Sequence, residues 1–338
     1  VNTDTDVTLA DVARRAGVSL ATASRVLNGS ARRVGERLTE SVRVAARELD
    51  YVPNLNAQAL ARSRTEIAGI IVHDVGDAYF SEILRGIERV ANASGQLMLV
   101  CNAERDPERE LSYVRLLHAQ RARTMILTGS GRDDPAYNAR LAEVLRAFTS
   151  RGGRVVAIGR HALGVDMVRP DNCAGGVELG RYLADLGHRR VGVVTGPAWL
   201  TSVSDRLAGF CAGFVGEPVV VAGSFDRSSG RDAAEHFARI APDLTAIACF
   251  NDEMALGVLA SLHERGIRVP HDVSVSGFGD VPVSSDVTPA LTTVAIPMSA
   301  MGERAMELAL APAALEPRDE ILSLVLRPRD STAAAATS

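Results

Sequence analysis

The 338-residue chain contains no lysine, so all 37 of its basic residues are arginine. Chemistry that needs an ε-amine is thereby excluded: the Walker phosphate loop, Schiff-base catalysis and the strand lysine of protein kinases. Also missing is any uninterrupted apolar run near the ~18 residues that mark a membrane span. Val1 to Asp6 are polar and acidic, the wrong chemistry for a secretory signal peptide, and a soluble cytoplasmic protein is expected. Cysteine is scarce: Cys101, Cys173, Cys211 and Cys249 form no CxxC pair and are expected to be free, buried thiols. The sequence has no GxSxG elbow, no HExxH and no GxGxxG after a strand, and its seven histidines form no metal-like pair. Gly129-Ser130-Gly131-Arg132 lacks the phosphate-loop lysine and reads as a mixed loop. No enzyme activity, cofactor or metal is expected.

Hydrophobic residues make up 46% of the chain and charged residues 23%, enough apolar material to bury cores and to argue against wholesale disorder. The length suits two or three domains. The net charge of −4 is uneven: residues 1–62 hold nine arginines against seven acids, and the remainder 28 against 34. A mildly basic head on an acidic body is compatible with nucleic-acid contact at the head.

Thr8-Leu9-Ala10-Asp11 has the form of a helix start, with Thr8 as N-cap and Asp11 in the first turn. Leu9, Val12, Ala13 and Ala16 follow at helical spacing, and Gly17 suits the left-handed residue that ends a helix. Ser19 can cap a second helix running to Asn28, and a third amphipathic segment spans about Glu36 to Leu49. Two short helices joined by a glycine-containing turn make a helix-turn-helix, although spacing alone fits an ordinary helical hairpin equally well. The second helix tilts the balance. Its Leu20, Ala21, Thr22, Ser24 and Arg25 form a thin uncharged surface with one arginine, which suits a major groove.

The stretch Thr8-Leu-Ala-Asp-Val-Ala-Arg-Arg-Ala-Gly-Val-Ser-Leu-Ala-Thr-Ala-Ser-Arg-Val-Leu-Asn-Gly29 resembles the N-terminal motif of LacI/GalR-family bacterial transcription regulators. The resemblance continues through Tyr51-Val-Pro-Asn-Leu-Asn-Ala-Gln-Ala-Leu60, similar to that family's hinge helix, and then through nearly the whole chain. It implies DNA contacts from Thr8, Ser19, Leu20, Ala21, Thr22, Ser24, Arg25, Asn28, Asn54, Ala57 and Leu60, with Leu20, Ala21 and Arg25 choosing operator bases. Leu60 would wedge into the minor groove, an insertion that costs about a few kcal/mol per base step and is offset by added contacts. Pro53 bars helix at Val52, so the hinge segment starts near Asn54 and ends around Arg62. A helix this short is marginal alone and should form only when something binds it.

From Ile67 onward the pattern alternates strand and helix. Buried parallel strands are predicted at Ile67–Val72, Leu97–Cys101, Met125–Leu127, Val155–Ile158, Val191–Val194, Val219–Val221, Ala246–Phe250 and Val273–Val275. An amphipathic helix is predicted from Phe80 to Ser94, with Gly95 as its stop. Repeated units of this kind give an α/β fold of doubly wound parallel sheets. Two such lobes would bind ligands in the crevice beyond the carboxyl ends of their strands. The predicted layout is a helix-turn-helix head at 1–52, a hinge helix and linker at 53–65 and a sensor at 66–330. Lobe 1 would take about 66–166 and 297–318, lobe 2 about 167–296 and 319–330, and 331–338 would be a disordered tail.

The body resembles the periplasmic-binding-protein fold through Val168-Arg-Pro-Asp-Asn172, Leu186-Gly-His-Arg-Arg-Val191, Arg206-Leu-Ala-Gly-Phe210, Phe250-Asn-Asp-Glu-Met-Ala-Leu-Gly257 and Val275-Ser-Gly-Phe-Gly-Asp280. That resemblance implies an effector pocket built from Tyr79, Phe80, Thr128, Arg160, Arg206, Phe225, Asn251, Asp252 and Asp280. Charged forks and amides beside aromatic faces suit a sugar or sugar derivative, because each buried hydroxyl needs a donor and an acceptor. Asn251 also fits a simple helix N-cap. The sequence departs from the family at Gly279, where many relatives carry an acid facing the effector, and in a short Cys211–Val219 stretch. The expected protein is a repressor, a homodimer on a near-palindromic operator, controlled by a small carbohydrate effector. Its residues 331–338 show no leucine heptad for a tetramer. The alternative is a solute-binding protein of a transporter with the same sensor fold.

Overall fold

A computed structural model describes residues 7–27, 34–52 and 65–335. The chain divides into two compact units, Val1–Thr65 and Glu66–Ser338.

The first unit contains α1 (Leu9–Ala16), α2 (Leu20–Leu27) and α3 (Glu36–Glu48). Its small core is Val12, Ala13, Ala23, Val42 and Ala45, with Leu9, Val18, Val26, Leu49 and Tyr51 packed around it. Both helix starts are capped as their sequences require. Thr8 and Asp11 form a reciprocal capping box on α1, and the Ser19 hydroxyl accepts the Thr22 amide at 3.2 Å. Gly17, at φ 67°, turns the chain out of α1 in the left-handed conformation that glycine adopts without strain.

The second unit opens with β1 (Ile67–Val72), α4 (Ala78–Ala93), β2 (Leu97–Asn102), α5 (Pro107–Ala119), β3 (Thr124–Thr128), α6 (Pro135–Thr149), β4 (Arg154–Ile158) and β5 (Asp166–Pro170). It continues through α7 (Asn172–Asp185), β6 (Arg190–Thr195), α8 (Thr201–Gly213), β7 (Glu217–Ala222), α9 (Arg227–Ile240), β8 (Ala246–Cys249), α10 (Asp252–Glu264), β9 (Ser274–Gly279), α11 (Val283–Asp286) and β10 (Thr292–Ala295). It ends with α12 (Met298–Leu310), β11 (Asp319–Leu322) and β12 (Val325–Arg327). Two six-stranded sheets result, ordered β11-β5-β4-β3-β1-β2 and β12-β10-β9-β8-β6-β7. All pairings are parallel except that of β10 with β12.

Each predicted apolar run is a strand here, and the helix predicted at Phe80 to Ser94 is α4. Three expectations are corrected. Residues 167–170 and 319–322 belong to lobe 1 rather than lobe 2, because β5 pairs with β4 and β11 pairs with β5. The predicted disordered tail is ordered through Ala335: Ser331 is buried, its hydroxyl donates to Val275 O and accepts the Thr292 amide, and Ala335 N donates to Leu186 O. All four cysteines are free, but only Cys249 is buried, while Cys173 and Cys211 are exposed.

Helices α7 and α8 touch backbone to backbone. Gly176 and Gly180 on one helix face Gly209 and Gly213 on the other, and a Cβ at any of the four would collide with carbonyl groups across the contact. The close approach sets the first residues of α7 beside Arg206 on α8.

Candidate functional site

A cleft of about 680 Å³ lies where the carboxyl ends of the two sheets converge. Lobe 1 supplies His73 after β1, Arg105 after β2, Gly129 and Ser130 after β3, Gly159 after β4 and Pro170 at the end of β5. Lobe 2 supplies Phe225 after β7, Asn251 and Asp252 after β8 and Phe278 and Gly279 in β9. A crevice at strand carboxyl ends is where open α/β sheets bind ligands, since loops there vary without disturbing the core.

Arg206 is the buried cation of this cleft. Its Nε donates to Asn172 Oδ1 at 2.8 Å, one Nη donates to the Phe250 carbonyl, and the guanidinium lies 4.1 Å from the Phe278 ring centroid. Burial pulls its pKa down to about 10, which leaves it charged at neutral pH. Tyr79 and Phe80, at the start of α4, meet edge to face with centroids 5.0 Å apart. Asp77 caps α4 by accepting the Tyr79 amide at 2.9 Å, and burial pushes its pKa up to about 6. His73 is also buried, and that desolvation, with Arg105 nearby, pushes it down to about 3.

Six expected pocket residues therefore line one cleft: Tyr79, Phe80, Arg206, Phe225, Asn251 and Asp252. Two of these are structurally occupied. Asn251 accepts the Met254 amide as N-cap of α10 and donates from Nδ2 to Phe225 O at 2.9 Å, so it holds Phe225 in place. The Asp252 carboxylate is fully buried, accepting from Thr293 Oγ1, Val281 N and Ser284 Oγ, and braces β10 and the turn after β9 against α10.

Three expected residues do not line the cleft. Thr128 is buried and donates its hydroxyl to Ile71 O at 3.0 Å. Arg160 is drawn away by Asp205, which it grips with two hydrogen bonds of 2.7 and 2.8 Å. Asp280 accepts from Arg329 at 2.6 Å. The sequence reading missed His73, Asp77, Arg105, Asn172, Ser130 and Ser202. Asn172 ends the Val168–Asn172 motif, and Arg105 follows a predicted strand, so position beyond a strand end was the available signal.

The two lobes also touch beside the cleft. Asp133 N donates to Trp199 O and Thr201 N to Gly131 O, a short antiparallel pairing between the loops after β3 and β6. The Arg132 guanidinium lies 3.7 Å from the centroid of Trp199, and Ser130 Oγ meets Ser202 Oγ at 2.5 Å.

On the first unit, α2 buries Ala23 and exposes Leu20 (53%), Ala21 and Arg25, with Thr22 and Ser24 half-buried. Thr8 and Ser19 stand exposed at the amino ends of α1 and α2. Asn28, Asn54, Ala57 and Leu60 lie outside the described residues. Among the described residues, no helix is long and apolar enough to cross a membrane, and no His, Cys, Asp and Glu group could hold a metal ion.

A capped helix-turn-helix joined in one chain to a two-lobed cleft defines a ligand-responsive DNA-binding regulator. Residues 8–54 match the family described as bacterial regulatory proteins, lacI family, and residues 65–323 match periplasmic binding proteins and sugar binding domain of LacI family. The chain belongs to the LacI family. It is 34% identical over 325 residues to the HTH-type transcriptional regulator GalR of Escherichia coli (strain K12), spanning 94% of this chain and 92% of that protein. The lac repressor dimer bound to operator and the anti-inducer ONPF matches with a TM-score of 0.84 at 26% identity, covering 98% of this chain and all of that one. A complex of the transcriptional regulator CelR with cellobiose matches with a TM-score of 0.69 at 28% identity, covering 96% of this chain and 99% of that one. The relatives are regulators and not enzymes, and the DNA-binding match at residues 8–54 disfavours the transport reading.

Proposed function

We propose that the chain is a cytoplasmic, homodimeric repressor whose grip on a near-palindromic operator is set by a sugar or sugar derivative in the cleft. The observation that carries this reading is the pairing, in one chain, of an exposed Leu20-Ala21-Arg25 helix face with a cleft built on a buried, still-charged Arg206. Thr8, Ser19, Thr22, Ser24, Asn28 and the hinge residues Asn54, Ala57 and Leu60 would complete the DNA surface. Tyr79, Phe80, Arg206 and Phe225 would face the effector, while Asn251 and Asp252 would fix the wall behind it. The cellobiose bound by CelR supports a carbohydrate, and the operator-bound lac repressor dimer supports paired half-sites. An edge strand with Leu97, Leu99 and Val100 exposed at 61%, 41% and 40% offers an apolar surface for a second copy.

The test is selection of an operator from random DNA, followed by mobility-shift assays with and without candidate effectors. A two-fold symmetric site bound by a dimer is expected, with release or tightening on adding one sugar-class compound. A monomer bound tightly to a single half-site would overturn the dimer. The absence of any sequence preference would overturn the repressor assignment.

A further inference from the structure

The lobes are joined at one edge of each sheet. The chain crosses from β5 to α7, from β10 to α12 and from β11 to β12, and these strands lie at matching ends of the two sheet orders. At the opposite edges stand β2 and β7. The loops after β2 and β7 therefore form the lip of the cleft, furthest from the crossovers. Arg105 stands on the first loop and Phe225 on the second, with the guanidinium 6.0 Å from the ring centroid. Glu104, Arg105 and Phe225 have φ values of 52°, 58° and 66°, in the left-handed region that non-glycine residues rarely occupy. Such conformations are strained for non-glycine residues and cluster at ligand-binding sites.

Several donors along the cleft keep hydrogen-bonding capacity for a ligand. Asp252 takes three hydrogen bonds and Asn251 Oδ1 caps α10, while Asp77 and Glu253 each commit one carboxylate oxygen, to the α4 cap and to Arg227 at 2.6 Å. Gly279 offers no side chain at all where the family pattern has an acid. The donors are less committed. Arg105 lies 3.7 Å from Asp74 and 3.8 Å from Asp77, beyond hydrogen-bond distance, and its side chain makes no hydrogen bond among the described residues. The remaining Nη of Arg206 and Nδ2 of Asn172 also have no partner among them.

We infer that Arg105 determines effector specificity by selecting a polyhydroxylated ligand that carries a carboxylate or a phosphate, received by its guanidinium at the lip with Phe225 packed alongside. The inference rests on the cleft being the effector site. A guanidinium fork matches both oxyanions bidentately, and such charge-assisted bonds are about twice as strong as neutral ones. The long contacts to Asp74 and Asp77 would yield to the ligand.

The experiment uses the full chain and matched probes: glucose and galactose, their aldonates and uronates, and their 6-phosphates. Thermal shift selects binders, and calorimetry compares the original protein with R105Q, R105K and R109Q. Arg109 is a half-buried neighbour paired with Glu104 and serves as the charge control. At least one acidic probe should bind at least tenfold more tightly than its neutral parent. R105Q should lose tenfold or more for that probe, R105K should fall between, and R109Q should stay within twofold. The carboxylate and phosphate arms show which oxyanion is taken. A neutral sugar binding as tightly as its acidic counterpart, or R105Q binding the acidic probe undiminished, would refute the inference while leaving the cleft as the effector site. No binding by any probe would refute both the inference and the sugar reading.

Discussion

His73 and Asp77 share one wall of the cleft, and burial moves their proton affinities in opposite directions. His73 is held neutral, with its pKa pushed down to about 3, chiefly by desolvation and further by nearby Arg105, His161 and Arg132. In the unfolded chain it would take up a proton near its ordinary 6.5. Its contribution is complete above pH 6.5 and is lost as the pH falls, by up to ~1.4 kcal/mol per pH unit. Asp77, pushed up to about 6 by burial, behaves the other way: the folded chain binds its proton first, so acidification from pH 6 toward 3.8 favours the fold. The two should partly cancel between pH 6 and 4. Urea unfolding at pH 7, 6 and 5 should therefore show H73Q losing less stability on acidification than the original protein, and D77N losing more. Identical slopes in all three proteins would show that neither group is desolvated as described. Asparagine can still cap α4 in D77N, so loss of the helix start does not cloud the comparison.

Helices α7 and α8 show how packing between elements places a functional group. With glycines at 176, 180, 209 and 213, the backbones meet and Asn172 reaches Arg206. Gly209→Ala would push a methyl into the Cys173 carbonyl. A cost of about 1–3 kcal/mol is expected for such overpacking, together with weaker effector binding as the pair separates. A G209A protein with unchanged melting and unchanged effector affinity would refute this account. On α2, Arg25→Ala should cost ~1–3 kcal/mol on the operator and relax preference at one base pair, whereas loss of a phosphate contact would weaken all DNA equally. Equal loss on operator and random duplex would remove Arg25 from base readout. The same elements explain how much of the fold is legible in the sequence. Capped helices and continuous apolar strands were legible because caps and periodicity are local. The strands β5, β10, β11 and β12 were not, being short, rich in polar residues or proline, and sheltered at or near sheet edges. Arg160 follows β4 as expected, yet its direction is decided by Asp205, 45 residues away on the other lobe. Arg105 escaped notice because no glycine marks the left-handed turn that aims it.

At the scale of the whole molecule, the effector and the operator are coupled only as far as one ligand distinguishes states that the other also distinguishes. The units Val1–Thr65 and Glu66–Ser338 belong to one chain, so a change in the sensor unit has a covalent route to the head. Within the sensor unit, Arg105 and Phe225 at the lip, and Arg132 on Trp199 beside the cleft, are contacts between the lobes that a ligand can tighten or break. Arg206→Ala should abolish the effector response while leaving operator binding intact, since Arg206 belongs to the sensor unit and base readout to the head. A coupling of about 1–3 kcal/mol is expected, and linkage requires that it be reciprocal. Operator DNA must then change effector affinity by the factor, roughly 5- to 150-fold, by which the effector changes operator affinity, downward for an inducer and upward for a corepressor. Titrating effector by calorimetry with and without saturating operator measures that factor, and the fluorescence of Trp199, the only tryptophan, reports the lobe contact in the same samples. Equal effector affinities in the two titrations would mean that the bound compound is not the allosteric signal. A shift in affinity without any change at Trp199 would mean that the coupling bypasses the contact beside the cleft.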